Sequence, residues 1–424
     1  MPKTDPATPP ARLSRQPWMS HPATLAVMEA LSRAAGPDGA RFVGGCVRNA
    51  LIGKPVADID IATVLTPDAV IKALEAAGLK AIPTGLAHGT ITAVAKGRPF
   101  EITTLRRDVE TDGRRAVVAF TDDWAEDAAR RDFRLNALYA DAEGRLSDPT
   151  GSGIADALAG AIVFVGDAKM RIREDALRIL RFFRFFAWYV RGEPDAAALA
   201  ACRAGSALLE TLSAERVSKE LLTLLGADDP RRAVALMAGA GVLSLALPGA
   251  VGLARFERLV AIETEMLFTN DPLLRLAALL PDDPAVGEAT AAALRLSNAQ
   301  RDRLVAALKP EPAIVSWMSP RQVRQGVWRL GAEAFCDRVM LAWAASDRPA
   351  ATTQWRALLP MARGWPRPTF PLTSEEVMAA GVPNGPLVGK VLREVEAWWV
   401  DNDFVSDKLS VIEALKAVAQ GMAY

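Results

Sequence analysis

Two carboxylates separated by one residue, Asp58 and Asp60, lie in the stretch RFVGGCVRNALIGKPVADIDIAT, which covers residues 41–63. They alternate with apolar residues, which predicts a strand over residues 57–62 with both carboxylates on one face. Two neighbouring anions repel each other unless a cation lies between them. The pair is therefore typical either of a divalent metal site or of a solvated acidic face on an edge strand.

The residues before this pair favour the metal site, because they predict a place for phosphate oxygens. A short apolar strand ends at Val43, Gly44 and Gly45 form a tight turn, and residues 46–52 form a short helix. Backbone N–H groups at such a turn bind phosphate oxygens, and Arg48 adds a positive charge. A phosphate site beside paired carboxylates is what Mg²⁺-assisted phosphoryl or nucleotidyl transfer requires.

A third carboxylate is predicted on a neighbouring strand. Residues 90–95 and 99–105 alternate as two strands joined by a turn at Lys96 and Gly97. Glu101 falls on the face opposite the apolar side chains of its strand, which makes it a candidate for the same site. A single glutamate in this position is, by itself, more typical of a solvated residue.

The string GGCVRNALIGKPVADIDIAT resembles the signature of the nucleotidyltransferase domain shared by bacterial and eukaryotic tRNA CCA-adding enzymes and bacterial poly(A) polymerases. That signature is G-G-x-V-R-D-x-L-x-G followed, after a few residues, by D-x-D-x-x-T, and here Asn49 replaces its first aspartate. The resemblance implies that Asp58 and Asp60 hold Mg²⁺ and that Glu101 positions or deprotonates the 3′ hydroxyl of tRNA. It also implies that the triphosphate is held by Gly44, Gly45 and Arg48.

Residues 130–141, RRDFRLNALYAD, resemble a second motif of this family, R-R-D-F-x-x-N-A. The resemblance implies that Arg131 and Asp132 contact the ribose hydroxyls of the incoming nucleotide, and it places Asn136 in the same nucleotide site. A structural ion pair is the alternative interpretation of the arginine and the aspartate.

Residues 168–190, AKMRIREDALRILRFFRFFAWYV, are predicted to form one amphipathic helix. Charged residues occur on it at spacings of three and four, which would place them on one flank. They are Glu174, Asp175, Arg178, Arg181 and Arg184. Such spacing also suits ordinary ion pairs along a surface helix.

A more specific role for this flank follows from its hydrogen-bonding capacity. Asp175 accepts and Arg178 donates, so together they match the edge of cytosine or adenine, which offers an amino group beside a ring acceptor. Uracil and guanine present a carbonyl there and would leave Asp175 facing an acceptor. The string EDALR also resembles the family motif E-D-x-x-R-x-x-R, which implies a protein template for CTP and ATP that includes Arg181 and Arg184.

Residues 109–118, VETDGRRAVV, are charged, have little apolar periodicity and are predicted to form a mobile loop. In CCA-adding enzymes a loop at this place, with similar acidic and arginine content, helps the switch from adding C to adding A. The resemblance therefore favours complete CCA addition and assigns the switch to Asp112, Arg114 and Arg115. A solvated loop is the alternative.

Composition sets the remaining limits. The 424 residues carry 50 basic and 50 acidic side chains, so contacts with RNA must come from local basic patches. The three cysteines form no C-x-x-C pair and the two histidines no His-Asp pair, which argues against a disulfide framework, a cysteine zinc site and a histidine-based phosphohydrolase. Without a signal peptide or a long apolar run, a cytoplasmic location and no membrane contact are expected.

The predicted fold class is an α+β nucleotidyltransferase head, with a small mixed sheet and helices, followed by an all-α neck, body and tail. The expected segments are a flexible tail at 1–24, the head at 25–160, the neck at 161–230, and the body and tail at 231–424. Residues 213–225, SAERVSKELLTLL, resemble the family's E-R-x-x-x-E-L helix.

The predicted function is Mg²⁺-dependent addition of C, C and A to the 3′ acceptor end of tRNA from CTP and ATP, with release of pyrophosphate and with no protein partner implied. A poly(A) polymerase is the alternative within the same enzyme class. A catalytically silent RNA-binding protein is the alternative from another class, and the intact carboxylates Asp58, Asp60 and Glu101 argue against it.

Overall fold

The structure is a computed structural model that describes residues 10–112, 115–346, 351–405 and 407–421. It divides into two compact units, Met1–Pro248 and Gly249–Tyr424. The division falls inside the segment predicted as body and tail. The predicted boundaries at residues 160 and 230 stay predictions.

The first unit contains a mixed sheet of seven strands in the order β3-β4-β5-β2-β1-β8-β9, and a separate hairpin of β6 and β7. Strands β2 and β5 run parallel, and the other neighbours in the large sheet are antiparallel. The strands are β1 Ala40–Val43, β2 Asp60–Thr63, β3 Lys80–Gly85, β4 Thr90–Ala95, β5 Arg98–Thr104, β6 Arg106–Asp112, β7 Arg115–Phe120, β8 Tyr139–Ala140 and β9 Leu146–Ser147.

Among the residues that the structure describes in the first unit, the remaining regular structure consists of helices, apart from short 3-10 turns. They are α1 Pro22–Ala35, α2 Gly45–Leu51, α3 Pro67–Ala76, α4 Trp124–Ala129, α5 Gly153–Ala159, α6 Ala168–Glu174, α7 Leu177–Tyr189, α8 Ala196–Ala204, α9 Ala214–Leu225, α10 Arg231–Gly239 and α11 Val242–Ala246. Several of them begin where an aspartate side chain accepts a backbone N–H of the first turn, as Asp123 does for α4, Asp167 for α6 and Asp195 for α8.

The described part of the second unit contains only helices as regular structure. They are α12 Ala254–Glu265, α13 Pro272–Ala278, α14 Pro284–Ala293, α15 Asn298–Ala307, α16 Pro320–Leu330, α17 Ala332–Ala345, α18 Thr352–Gly364, α19 Ser374–Ala379, α20 Pro386–Asp401 and α21 Lys408–Gly421. A mixed sheet with helices followed by helices alone confirms the predicted fold class. No helix in the described ranges has the length and apolar character needed to span a bilayer.

The core of the sheet follows the predicted alternation. Phe100, Ile102 and Thr104 of β5 are buried, while Glu101 between them is exposed. The predicted strand over residues 90–95 is confirmed as β4, and its buried Ile91 and Ala93 lie opposite the buried Ile102 and Phe100 of β5. Period-two patterning therefore fixed which face of β5 carries the carboxylate.

Strand β2 is shorter than predicted, which changes the setting of one carboxylate. It begins at Asp60, so Asp58 lies in the irregular segment before it. The register pairs Phe42 of β1 with Ile61, so the residue before Asp60 would need Gly44 as its partner. Gly44 instead has φ 69° and caps helix α2, which begins at Gly45, so the ladder ends there.

Two other predictions for the first unit were wrong. The segment predicted as a mobile loop pairs through its backbone as β6 and β7, since hairpin pairing does not require apolar periodicity. The predicted tail ends before residue 24, because Leu13 is buried and its N–H donates to the carbonyl of Gly144 over 2.8 Å, and because helix α1 starts at Pro22.

The single helix predicted over residues 168–190 is two helices, α6 and α7. Asp175 between them is extended, with φ −153° and ψ 107°. Its Oδ1 accepts the N–H of Leu177 over 3.1 Å, at the start of α7. A short polar side chain that bonds nearby backbone competes with helix continuation, so Glu174 and Asp175 do not share a helix with the arginines of α7.

We expect Gly153→Ala to destabilise the first unit. A Cβ at this position would lie 2.4 Å from the carbonyl oxygen of Arg134 and 3.0 Å from Leu138 Cδ2. Forcing a methyl group into such a contact costs on the order of 2 kcal/mol in free energy of unfolding, measurable by urea titration. Gly192→Ala is the matched control, because its Cβ would meet nothing within 4 Å. Equal stability of the two variants would contradict the close approach.

Candidate active site

Two predicted catalytic carboxylates lie side by side on neighbouring strands. The parallel register of β2 and β5 pairs Asp60 with Glu101. Asp60 is half-buried and Glu101 is exposed, and Asp58 is exposed two residues before Asp60. The sheet therefore brings together residues that are about forty positions apart in the sequence.

The negative charges of Asp58, Asp60 and Glu101 repel one another. Burial raises the pKa of Asp60 to about 6, with further increases from Glu101 and Asp58 and a partial decrease from Arg131. In the described ranges, no cluster of three or more His, Cys, Asp or Glu side chains converges as a preformed metal site. Oxygen donors whose charges repel nevertheless suit a hard divalent cation, so Asp58 and Asp60 fit the ligands expected for Mg²⁺.

The glycine turn lies next to an arginine. Gly44 has φ 69° and ψ −119°, a backbone conformation open mainly to glycine, and Gly45 is the first residue of α2. A Cβ on Gly44 would lie 3.7 Å from Nη1 of Arg131. This guanidinium also lowers the pKa of Asp60, so the turn and the carboxylate share one positive neighbour.

Arg131 is positioned by Asp127, which the sequence analysis did not identify. Asp127 Oδ2 accepts from Arg131 Nη2 over 2.9 Å and from the Tyr139 hydroxyl over 2.7 Å, and its Oδ1 accepts from Arg130 Nε over 2.9 Å. Burial alone would raise the pKa of Asp127, but Arg131, Arg130 and Tyr139 bring it down to about 2. The signal was available, since the arginines follow Asp127 by three and four residues.

Arg48 lies in a buried network and is not open to solvent. Its guanidinium donates to Asn136 Oδ1, to the Tyr189 hydroxyl over 2.6 Å and to Asn49 Oδ1 over 2.9 and 3.1 Å. Burial lowers its pKa, and its charge lies over the Tyr189 ring at 4.1 Å. Arg48 thus connects α2 to α7, and its predicted contact with the triphosphate stays a prediction.

Asn49, which replaces the aspartate of the family signature, uses both the acceptor and the donor of its side-chain amide. Its Oδ1 accepts from Arg48, and its Nδ2 donates to the carbonyl of Pro55 over 2.8 Å. An aspartate could accept from the arginine but could not donate to Pro55. Asn49 therefore links Arg48 to the segment that leads to Asp58.

Asp132 is buried, and both of its carboxylate oxygens have partners. Oδ1 accepts from the N–H of Phe133 over 2.8 Å and from Asn136 Nδ2 over 3.0 Å. Oδ2 accepts from Arg181 Nε over 2.7 Å. Burial raises the pKa of Asp132, but Arg181 and Asn136 outweigh it and hold the pKa below its ordinary value. The ion pair considered as an alternative would join Arg131 to Asp132, but Arg131 pairs with Asp127 and Asp132 pairs with Arg181. The ribose contact stays a prediction.

The two residues expected to select the base have separate partners. Arg178 Nη1 donates to Glu174 Oε2 over 2.6 Å and to the carbonyl of Arg171 over 3.0 Å. Asp175 Oδ2 accepts from Arg216 Nη2 over 2.7 Å. The ion pair is thus formed by Glu174 with Arg178, across the break between α6 and α7.

Helix α9 supplies a second acidic residue that the sequence analysis missed. Glu220 is buried, and its Oε2 accepts from Arg184 Nε over 2.5 Å, with Arg181 Nη1 at 3.8 Å from Oε1. Its position in the E-R-x-x-x-E-L motif was the only signal available. The predicted switch residues Asp112 and Arg115 occur in β6 and β7, their side chains lie outside the described residues, and Arg114 lies outside entirely.

A small mixed sheet that presents paired carboxylates beside a Gly-Gly turn, followed by helices rich in arginine–carboxylate pairs, defines a nucleotidyltransferase. Residues 40–163 match the Poly A polymerase head domain, and residues 193–252 match the probable RNA and SrmB-binding site of polymerase A. The mitochondrial CCA tRNA nucleotidyltransferase 1 of Mus musculus is 31% identical over 389 residues, covering 89% of this chain and 86% of the relative. The chain therefore belongs to the CCA tRNA nucleotidyltransferase family.

Two further comparisons agree with this assignment. The CCA-adding enzyme of Geobacillus stearothermophilus is 38% identical over 228 residues, which cover 52% of this chain and 54% of the relative. The crystal structure of the Bacillus stearothermophilus CCA-adding enzyme in complex with CTP matches with a TM-score of 0.76 and 26% identity, over 96% of this chain and 99% of that one.

We expect Asp127→Asn to lower stability in a pH-dependent way. A carboxylate whose pKa falls from its ordinary value to about 2 on folding stabilises the folded state above the unfolded pKa and loses that effect as pH falls through the folded pKa. The variant should lose about 2 kcal/mol of free energy of unfolding at pH 7 and about half as much at pH 3. Denaturant titration at both pH values measures this. If the loss of stability in the variant were the same at pH 7 and pH 3, the charge of Asp127 would be excluded as its cause.

Proposed function

We propose that this chain adds C, C and A to the 3′ end of tRNA, using CTP and ATP and releasing pyrophosphate. The observation that carries the proposal is the register of Asp60 with Glu101 beside the Gly44 turn and Arg131, in a chain of the CCA tRNA nucleotidyltransferase family. Like charges held together in this way are costly for the fold, and catalysis on a phosphate explains why they are present.

We further propose that Asp58 and Asp60 hold Mg²⁺, which when bound would stabilise charge on the attacking and leaving oxygens. Glu101 accepts or orients the proton of the tRNA 3′ hydroxyl, since it is exposed on the strand beside Asp60. The turn at Gly44 and Gly45, together with Arg48, orients the phosphates of the nucleotide. Arg131 and Asp132 contact its ribose hydroxyls, as the family resemblance implies.

Base selection belongs to the junction of α6 and α7. Asp175 accepts the amino group of cytosine or adenine, and Arg178 donates to the adjacent ring nitrogen. The Arg178 guanidinium is already held by hydrogen bonds to Glu174 and to the backbone carbonyls of Arg171 and Arg130. The same nucleotide site contains four residues that already have hydrogen-bond partners within the protein: Asp132, Asn136, Arg181 and Arg184.

The choice between complete CCA addition and the alternatives depends on Asp112, Arg114 and Arg115. The side chains of these three residues are not among those that the structure describes. We propose that they assist the final addition of A. The cytoplasmic location stays a prediction, and the mouse and human relatives carry names that place them in mitochondria.

The reaction itself is tested with a tRNA transcript that lacks its 3′ CCA. CTP alone should extend it by two residues, both nucleotides together by three, and ATP alone should not extend it. Repeated addition of A from ATP alone would identify a poly(A) polymerase, and no extension under any condition would identify an RNA-binding protein without catalysis.

We expect Asp58→Asn and Asp60→Asn each to reduce nucleotide addition at least about a hundredfold while leaving tRNA binding nearly unchanged, because the metal serves the chemical step. Mg²⁺ should raise the thermal unfolding midpoint of the wild type and not that of Asp60→Asn. Asp68→Asn, which removes an exposed carboxylate on α3, is the control. Activity above about a tenth of wild type would remove these aspartates from the metal site.

We expect Asp175→Ala to lower the catalytic efficiency with CTP and ATP and to reduce the preference for these two nucleotides over UTP. In the wild type, a base carbonyl that faces the Asp175 carboxylate is repelled, which costs on the order of 1 to 3 kcal/mol. The variant lacks this carboxylate and therefore this penalty. Arg178→Ala should weaken both correct nucleotides by removing the donor. Single-nucleotide addition with each of the four NTPs measures this, and an unchanged base preference in both variants would rule out the protein template.

A further inference from the structure

Helix α9 faces the junction of α6 and α7 with two charged side chains, Arg216 and Glu220. They are four residues apart and therefore on one side of the helix. Arg216 Nη2 lies 2.7 Å from Asp175 Oδ2, and Glu220 Oε2 lies 2.5 Å from Arg184 Nε. The helix thus presents a cation to the acidic member of the proposed base-selecting pair and an anion to an arginine of α7.

We propose that Arg216 is a positioning residue that fixes the Asp175 carboxylate for selection of the incoming base. This inference rests on the proposed function, since it assumes that Asp175 accepts the amino group of cytosine or adenine. Arg216 acts only through Asp175 and does not contact the nucleotide.

The geometry around Asp175 supports this role because each carboxylate oxygen has its own anchor. Oδ1 accepts the N–H of Leu177 over 3.1 Å, and Oδ2 accepts from Arg216. Two bonds to different oxygens fix the rotation of the carboxyl plane. A carboxylate offers about four lone-pair positions, so acceptor capacity remains for a base.

Without Arg216, the N–H of Leu177 would be the one hydrogen-bond donor left to the Asp175 carboxylate among the described residues. The carboxylate could then turn away from a carbonyl at the position of the amino group, and the repulsion that excludes uracil and guanine would weaken. Discrimination by hydrogen bonding depends on a polar group that cannot avoid the wrong partner. The orientation of Asp175 therefore sets specificity, whereas its charge alone would set only affinity.

Exposure separates this role from a purely structural one. The side chains of Arg216 and Asp175 are 44% and 29% exposed, and ion pairs this accessible to water contribute little to stability. Removing Arg216 should therefore leave the unfolding midpoint nearly unchanged while it changes base preference. A structural ion pair would not affect the ratio of CTP to UTP efficiency.

The test is a double-mutant cycle on single-nucleotide addition to tRNA that lacks its 3′ CCA. Arg216→Ala should narrow the preference for CTP over UTP by about two- to fivefold, the range that a partly exposed ion pair supports, and Arg216→Lys should recover part of it. In an Asp175→Ala background, Arg216→Ala should change the ratio no further. Lys219→Ala removes an exposed positive charge from the same helix and should leave the ratio at its wild-type value.

Several outcomes would overturn the proposal. One is an unchanged ratio in Arg216→Ala, and another is an equal change with and without Asp175, which would mean that Arg216 contacts the nucleotide or the tRNA directly. Failure of the proposed function would give a different result, because Asp175→Ala itself would then keep the wild-type base preference. If Arg216→Ala does not fold, Arg216→Gln provides the same comparison.

Discussion

The parallel pairing of β2 with β5 imposes an electrostatic constraint on the first unit, since it holds the carboxylates of Asp60 and Glu101 beside each other. Burial and repulsion raise the pKa of Asp60 to about 6, and a protein without a use for this arrangement would gain stability by losing it. The positive neighbour that eases the repulsion is Arg131. Its place depends on Asp127, which is 1% exposed and holds two consecutive arginines.

Buried charges require partners, and in this unit the partners come from distant parts of the chain. Asp132 bonds Arg181 across 49 residues, and Arg48 bonds Tyr189 across 141. Each pair joins residues near the sheet to helix α7. A buried ion without its partner would cost several kcal/mol, so these pairs keep α7 in place beside the predicted nucleotide site before any nucleotide binds. Fixed donors and acceptors of this kind reduce the reorganisation that the reaction requires.

Several features could be predicted from the sequence because they depend on neighbours within a few residues. The alternation of β5 identified the face that carries Glu101, and the alternation over residues 90–95 identified strand β4. The predictions that failed depended on a partner element or on a side chain that competes with the backbone. Strand β2 begins only at Asp60 because β1 turns at Gly44, and the predicted helix over residues 168–190 is interrupted because Asp175 accepts the N–H of Leu177.

The sequence by itself determined which residue types are available for chemistry and their order along the chain, including the Asp58 and Asp60 pair and the EDALR string. Only the tertiary structure decided which of them meet. It paired Asp60 with Glu101, Asp132 with Arg181 and Asp175 with Arg216. The physical reason is that periodicity fixes the face of an element on which a side chain lies, whereas its partner is set by the register of strands and the packing of helices far away in sequence.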